Sequence, residues 1–442
     1  MNSNFRDYFH TKFVYSRIVS MYIAAVIGML GLAGVASAAG IPNAHANDTA
    51  FQVHSAPVCP GPANVGTAHC HAWVVTDANG IPRASGLTDK TVGPKAGHGN
   101  HGGHGGNGGS NPPPPPTGAY GPRQFQTAYG LTGEVSGGTT VAIVDAYDNP
   151  TIEQDLAVYS IVYGLPDCTT ANGCFSKVNQ TGGTSYPRAN SGWALEIALD
   201  VQAVHAVCPD CRILLVEARS NSLSNLLAAE DYARSHADFV SNSWGASEFS
   251  SEFNYDSYFG PVPTTVSSGD NGYGVEWPAA SPKVTAVGGT TLTLDSNNTR
   301  TDETVWSGSG SGCSAYEAQP AWQSALHLSG CGNRIVADVA ADADPATGAA
   351  VYDSYGYAGQ SGWFTVGGTS LSSPIIAAVY ALARNSQGAS TVYSKVINSA
   401  NYPLYDVTEG FNGSCGNYLC NAQVQSSYDG PTGLGTPGFD AF

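Results

Sequence analysis

Between Thr117 and Phe442 the chain alternates short apolar runs with longer helical patterns. Thr139-Thr140-Val141-Ala142-Ile143-Val144 is a buried strand that stops at Asp145. Gly192 to Val207 reads as a helix, Arg212 to Val216 as a strand, and Ser222 to His236 as a helix. Phe239 and Val240 lead a strand into Ser243-Trp244-Gly245. Thr264 to Ser268 is a further strand that ends at Gly269-Asp270, Val284 to Val287 follows, and Thr369 to Arg384 is a helix opened by Ser370. Strands that alternate with helices predict an α/β fold, a mostly parallel sheet flanked by helices on both faces. Ligands of such sheets bind beyond the carboxyl ends of the strands. Asp145, Trp244 and Asp270 all stand at such ends.

The region before Thr117 divides in three. Arg6, Lys12 and Arg17 precede an apolar run, Tyr22 to Val35, which closes on Ala36-Ser37-Ala38. A basic start, a short apolar stretch and a small-residue cleavage site predict a signal peptide over residues 1–38. Residues 39–96 hold one cysteine pair and a strand-like piece, His71 to Thr76, and are expected to be a short pro-segment or a small Cys-paired region. Residues 97–109 are Gly, His and Asn, and Asn111 and five prolines, Pro112 to Pro116, follow, so that 97–116 has a composition that predicts a linker. His98, His101 and His104 within it could ligate a metal but lack a rigid frame.

Ten cysteines fall into close neighbours: Cys59/Cys70, Cys168/Cys174, Cys208/Cys211, Cys313/Cys331 and Cys415/Cys420. Five local disulfides in an oxidising, extracellular setting are the simplest reading. Cys208-Pro209-Asp210-Cys211 also has the spacing of a redox pair, without a thioredoxin-like context. The net charge is −17, which repels phosphate backbones and argues against nucleic acid. No segment after the leader is apolar enough to cross a bilayer, so no membrane association is expected once it is removed.

Three motifs carry chemistry. Gly367-Gly368-Thr369-Ser370-Leu371-Ser372-Ser373-Pro374 places Ser370 near a helix start, where free N–H groups favour negative charge. Ser370 is then either an N-cap or a nucleophile with its own N–H in an oxyanion hole. A nucleophilic serine needs a base. His205, His236 and His327, the histidines after Thr117, lie in no His-Gly context. Glu196 and Asp200 are four apart on an almost wholly apolar helix, so both carboxylates share a face. They are either a solvated edge or a buried pair that shares a proton. Asp270, in Ser267-Ser268-Gly269-Asp270-Asn271-Gly272, is either an Asx turn or a side chain projecting at a strand end.

Taken in order, Glu196-x-x-x-Asp200, Ser-Gly-Asp270 and Gly-Thr-Ser370-x-x-x-Pro resemble the sedolisins, serine-carboxyl peptidases with a subtilisin-like fold. Ser243-Trp244-Gly245, Val287-Gly288-Gly289-Thr290 and Asp429-Gly430-Pro431-Thr432-Gly433-Leu434-Gly435 add to the likeness, which covers about Pro122 to Pro437. The resemblance implies a peptidase domain over residues 117–442, with Ser370 as nucleophile, Glu196 as general base, Asp200 as its orienting partner and Asp270 in the oxyanion hole. Asp145 matches the strand-end acid that ties such carboxylate networks together. Ser243, Trp244 and Gly245 resemble the strand that binds extended peptide by β-augmentation. A calcium ion is implied on Asp406 and Asp429, with carbonyls from Val407, Gln425 and Ser427. Gln425 and Ser427 stand where the family usually has glycines.

The expected protein is thus a secreted, extracellular, monomeric serine endopeptidase acting on proteins or peptides at acidic pH. Two other readings stay open. One is an ordinary subtilisin-like protease using Asp145, a histidine and Ser370. The other is a catalytically inactive, disulfide-stapled binding protein on the same fold. Sedolisins usually carry a long folded propeptide, whereas here only residues 39–116 separate the leader from the domain.

Overall fold

A computed structural model describes residues 53–86, 112–399, 403–424 and 427–438 of the 442-residue chain. The expected leader, His98, His101 and His104, and Gln425 lie outside the described residues.

The central sheet runs, from edge to edge, through Arg300–Val305, Thr285–Leu294, Thr264–Ser267, Phe239–Asn242, Thr140–Ala146, Arg212–Ala218 and Phe175–Asn179. Val339–Asp342 pairs with Thr285–Leu294 as an eighth strand. All of these pairings are parallel except the one with Arg300–Val305. Strand Thr140–Ala146 is central and wholly apolar over Val141 to Val144, as a strand covered on both faces must be. The chain leaves it toward one edge and later returns to its other side through Phe239–Asn242. Strand order therefore reverses between these two neighbours, and a crevice opens beyond their carboxyl ends. Asp145 and Ser243 lie at that crevice.

Two buried helices close on it. Ser191–Val207 is capped by Asn190, whose side chain accepts from the N–H groups of Gly192 and Trp193 at 3.1 Å each. Apart from Ser191 the helix is buried, which accounts for its apolar sequence. Thr369–Ala383 packs against it and against the parallel strands, so the two helices carrying Glu196 and Ser370 face one another. The expected strand from Val284 runs on to Leu294. Beyond Gly289 it alternates as Thr-Thr-Leu-Thr-Leu and gains an antiparallel partner on its free edge.

Residues 53–86 belong to the same compact unit as the rest of the described chain. His54–Pro57 and Trp73–Thr76 pair with each other, and Trp73–Thr76 also adds to the hairpin Ala349–Tyr357/Gln360–Gly367. The strand-like piece read from His71 to Thr76 is divided. His69–Cys70 pairs with Trp244–Ser247, and the chain crosses at His71 and Ala72 to the second sheet. Ala68, Ala72 and Val74 are buried in the main core. All five disulfides form as the spacing suggested, Cys208–Cys211 included. The 11-residue separation of Cys59 and Cys70 closes a loop. Such a closure contributes about 2–3 kcal/mol by restricting the unfolded chain.

Candidate active site

Ser370 occupies the first turn of its helix and is completely buried. Gly368 precedes it at φ +97°, a left-handed conformation that favours glycine. A Cβ on Gly368 would also lie 2.1 Å from the carbonyl oxygen of His71 and 2.7 Å from Asp270 Oδ2. Only glycine lets these groups approach the start of the helix so closely.

Asp270 is held there by the residue before the serine. Its Oδ1 accepts from the Thr369 N–H at 2.8 Å and from the Thr369 hydroxyl at 2.7 Å. Its Oδ2 is buried without a hydrogen-bond partner among the described residues. Burial pushes the Asp270 carboxyl up to about 6, while the charge of His71 and the bonds from Thr369 work to lower it. The Asx-turn alternative therefore gives way to a side chain that projects into the site.

Glu196 and Asp200 share one face of their helix and are both fully buried, not a solvated edge. Burial raises the pKa of Glu196 well above the usual carboxylate range, and the charges of Asp200 and Asp145 raise it further. Asp200 is raised by burial and by Asp145, with the Ser243 hydroxyl opposing. Asp145 itself is pushed up to about 8 by burial. Three carboxyls thus converge from two elements where isolated charges are expensive, which favours their protonated forms. The Ser370 hydroxyl favours the charged form of Glu196, yet neither Glu196 oxygen meets the geometry of a full hydrogen bond.

Ser243 links the carboxyls to the serine. Its hydroxyl donates to Asp200 Oδ1 at 2.9 Å, and its carbonyl accepts from Ser370 Oγ at 3.4 Å. Trp244 Nε1 donates to the Val144 carbonyl at 3.1 Å, which ties this strand to the central sheet. Trp244–Ser247 is paired on both edges, by Glu276–Trp277 on one side and by His69–Cys70 on the other, both antiparallel.

His69 and His71 are the residues that sequence reasoning missed. The histidines weighed as bases all came after Thr117, and these two lie before the linker. His71 Nδ1 lies 2.6 Å from Ser267 Oγ and its Nε2 lies 3.0 Å from Glu276 Oε2. His205 faces the Ser160 hydroxyl and the Pro166 carbonyl, and burial lowers its pKa to about 4. His236 faces the Tyr232 carbonyl. The rings of His69, His71, His205 and His236 thus point to partners other than Ser370.

Asp429 is buried and Asp406 half-buried, and they lie near enough for Asp406 to raise Asp429. Burial is the main cause and brings Asp429 up to about 7. The Thr432 N–H and hydroxyl donate to its two oxygens at 2.9 and 2.7 Å. Asp406 Oδ2 accepts from the Ser427 N–H at 3.0 Å, and Val407 is buried beside it. Two crowded carboxylates fit an oxygen-ligated cation, whose charge would relieve their repulsion.

A serine at a helix start, facing buried carboxyls across the crevice of a mostly parallel sheet, defines a subtilisin-like α/β protein with a serine-carboxyl constellation. The profile of the subtilase family matches residues 182–417, more than half of the chain. Sedolisin from Pseudomonas sp. (strain 101) is 39% identical over 203 residues, covering 39% of this chain and 32% of that protein. Kumamolisin from Bacillus sp. (strain MN-32) is 29% identical over 365 residues, covering 72% of this chain and 62% of that protein. The crystal structure of Pseudomonas sedolisin, a serine-carboxyl proteinase complexed with pseudo-iodotyrostatin, superimposes with a TM-score of 0.62 at 29% identity. That match covers 72% of this chain and 95% of the other. The chain belongs to the subtilase family, and sedolisin and kumamolisin are among the proteins it is similar to. It spans less than two thirds of the length of the curated relatives it matches.

Proposed function

We propose that this chain is a secreted serine-carboxyl endopeptidase that hydrolyses protein or peptide substrates at acidic pH. The observation that carries this reading is the buried convergence of Ser370 with Glu196, Asp200, Asp145 and Asp270. Ser370 Oγ attacks the scissile carbonyl carbon while Glu196 accepts its proton. Asp200, oriented by Ser243, holds Glu196 in place. The negative oxygen of the tetrahedral intermediate meets the Ser370 N–H and the protonated Asp270 carboxyl, which donates a hydrogen bond. Glu196 returns the proton to the leaving amine, and water then hydrolyses the acyl-enzyme by the same steps reversed.

Extended substrate would pair with Trp244–Ser247, on the edge that His69–Cys70 occupies. Residues 53–86 therefore read as a pro-segment that must leave before substrate enters. Five disulfides support an extracellular setting. Among the described residues no helix is long and apolar enough to cross a membrane. Calcium on Asp406 and Asp429, with carbonyls of Val407, Gln425 and Ser427, would brace the loops behind the sheet and take no part in the chemistry.

Cleavage of a denatured protein from pH 2 to 8, with Ser370→Ala alongside, tests the proposal. Activity below pH 6 that falls by several orders of magnitude in Ser370→Ala is expected, because removal of a nucleophile costs about that much. Retained turnover in a folded Ser370→Ala protein would remove Ser370 from the mechanism. An optimum near pH 8 would restore a histidine base. Absence of hydrolysis at any pH after removal of residues 53–86 would favour the binding-protein reading.

A further inference from the structure

Three side chains beside the cleft have no part in the proposed chemistry. His69 and His71 come from the N-terminal segment, and Glu276 comes from the strand Glu276–Trp277 on the far side of Trp244–Ser247. His69 Nε2 lies 3.2 Å and His71 Nε2 lies 3.0 Å from one atom, Glu276 Oε2. All three donor atoms fall within 4.8 Å of one another. A tetrahedral zinc ion with bonds of about 2.0–2.1 Å holds neighbouring ligand atoms about 3.3 Å apart. The two histidine–carboxylate separations are already within about 0.3 Å of that spacing, and the two imidazoles need only close to it from within 4.8 Å.

The surroundings are shaped for this cluster. Gly245 lies beneath it, and a Cβ there would stand 2.6 Å from His71 Cε1 and 2.7 Å from Glu276 Oε2. A Cβ on Gly61 would stand 2.9 Å from His69 Cε1. The Ser267 hydroxyl at His71 Nδ1 fixes that ring and leaves Nε2 directed at the cluster, the usual arrangement behind a metal-bound histidine. His71 is sealed from solvent, whereas His69 and Glu276 keep 9% and 14% side-chain exposure. Glu276 lines a cleft with Gly61, Pro62, Ser247, Asn271 and Tyr273, which offers an ion entry and a water as fourth ligand. Two imidazoles and one carboxylate select a zinc-class cation over calcium, which prefers oxygen alone.

We propose that His69, His71 and Glu276 bind a zinc-class divalent cation that clips the N-terminal segment across the strand Trp244–Ser247. The ion bridges residues more than 200 positions apart, so it stabilises the covered form of the cleft by mass action.

The test uses the full chain with Ser370→Ala, to prevent self-cleavage, and with His98, His101 and His104 all changed to Ala, to remove the linker imidazoles. Calorimetric titration with Zn2+ should give one equivalent bound, and hydrogen exchange over residues 69–76 should slow. Glu276→Gln and His69→Ala should each weaken binding by about 10-fold or more, and Co2+ should give the visible absorption of a tetrahedral site. Glu276→Gln preserves shape, so its melting temperature without metal reports whether folding is intact. Absence of zinc binding, or equal affinity in folded Glu276→Gln, would overturn the site and leave a purely hydrogen-bonded cluster.

Discussion

The backbone N–H of Ser370 donates to the carbonyl oxygen of His71 at 3.1 Å. His71 in turn donates its own N–H to the Ser243 carbonyl at 3.2 Å. The N-terminal segment therefore passes between the candidate nucleophile and the candidate substrate strand. It takes up an N–H that an oxyanion would need.

Full-length protein should accordingly be latent. Activity should appear only as residues 53–86 are lost, with the new N-terminus mapping between residues 87 and 116. N-terminal sequencing of the protein before and after incubation at pH 4 checks this. Ser370→Ala protein should stay intact under the same treatment. An intact chain that already hydrolyses peptides at full rate would make the segment structural.

The alkaline limb of the pH–rate profile should lie near pH 6. In the proposed mechanism the protonated form of Asp270 would donate to the oxyanion, and that form is lost as pH rises through about 6. Glu196 could accept the serine proton only once the coupled Glu196, Asp200 and Asp145 cluster has lost a proton, so activity should also fall at low pH and the profile should be bell-shaped. Its limbs report coupled carboxyls, not single residues. Asp270→Asn keeps a donor at every pH and should flatten the alkaline limb, at a cost of about 100-fold or more in kcat. An unmoved limb in that variant would assign it to another group.

Stability should be greatest in acid. Burial raises Asp145 to about 8 and Asp353 to about 7, both far above an exposed carboxyl. From about pH 4 upward the unfolded chain releases these protons while the folded chain keeps them. Stability then falls by up to about 1.4 kcal/mol per pH unit for each group until its folded pKa is passed. Glu276, depressed by its histidines against the effect of burial, works in the opposite sense below about pH 4. Melting curves of Ser370→Ala protein from pH 4 to 8 should show the decline. Asp353→Asn, which leaves Ser370, Glu196, Asp200, Asp145 and Asp270 unchanged, should make it shallower.

Calcium should raise the melting temperature and a chelator should lower it, by mass action on the folded state. Asp429→Ala should abolish the calcium response, because it removes a buried carboxylate facing Asp406. An unchanged melting temperature in chelator, with no calcium in the purified protein, would place the ion elsewhere or nowhere.

Local pattern was enough for much of this molecule. The helix Ser191–Val207, the strand Thr140–Ala146 and the helix Thr369–Ala383 each lie within about two residues of where their apolar runs and turn signals put them. That is because periodicity and burial act over a few neighbours. The spacing of Glu196 and Asp200 alone puts both on one face. The disulfide pairs were legible because each closes a short loop. The tertiary structure alone decided what covers the crevice. Val74 pairs with Val366, and Cys70 with Trp244, across spans that no local signal records. A strand's edge is satisfied by any extended backbone, so its partner is chosen by the packing of the whole core. The same holds for the meeting of His69, His71 and Glu276. Their chemistry is written in the residue types, but their proximity exists only once two strands have taken the two edges of a third.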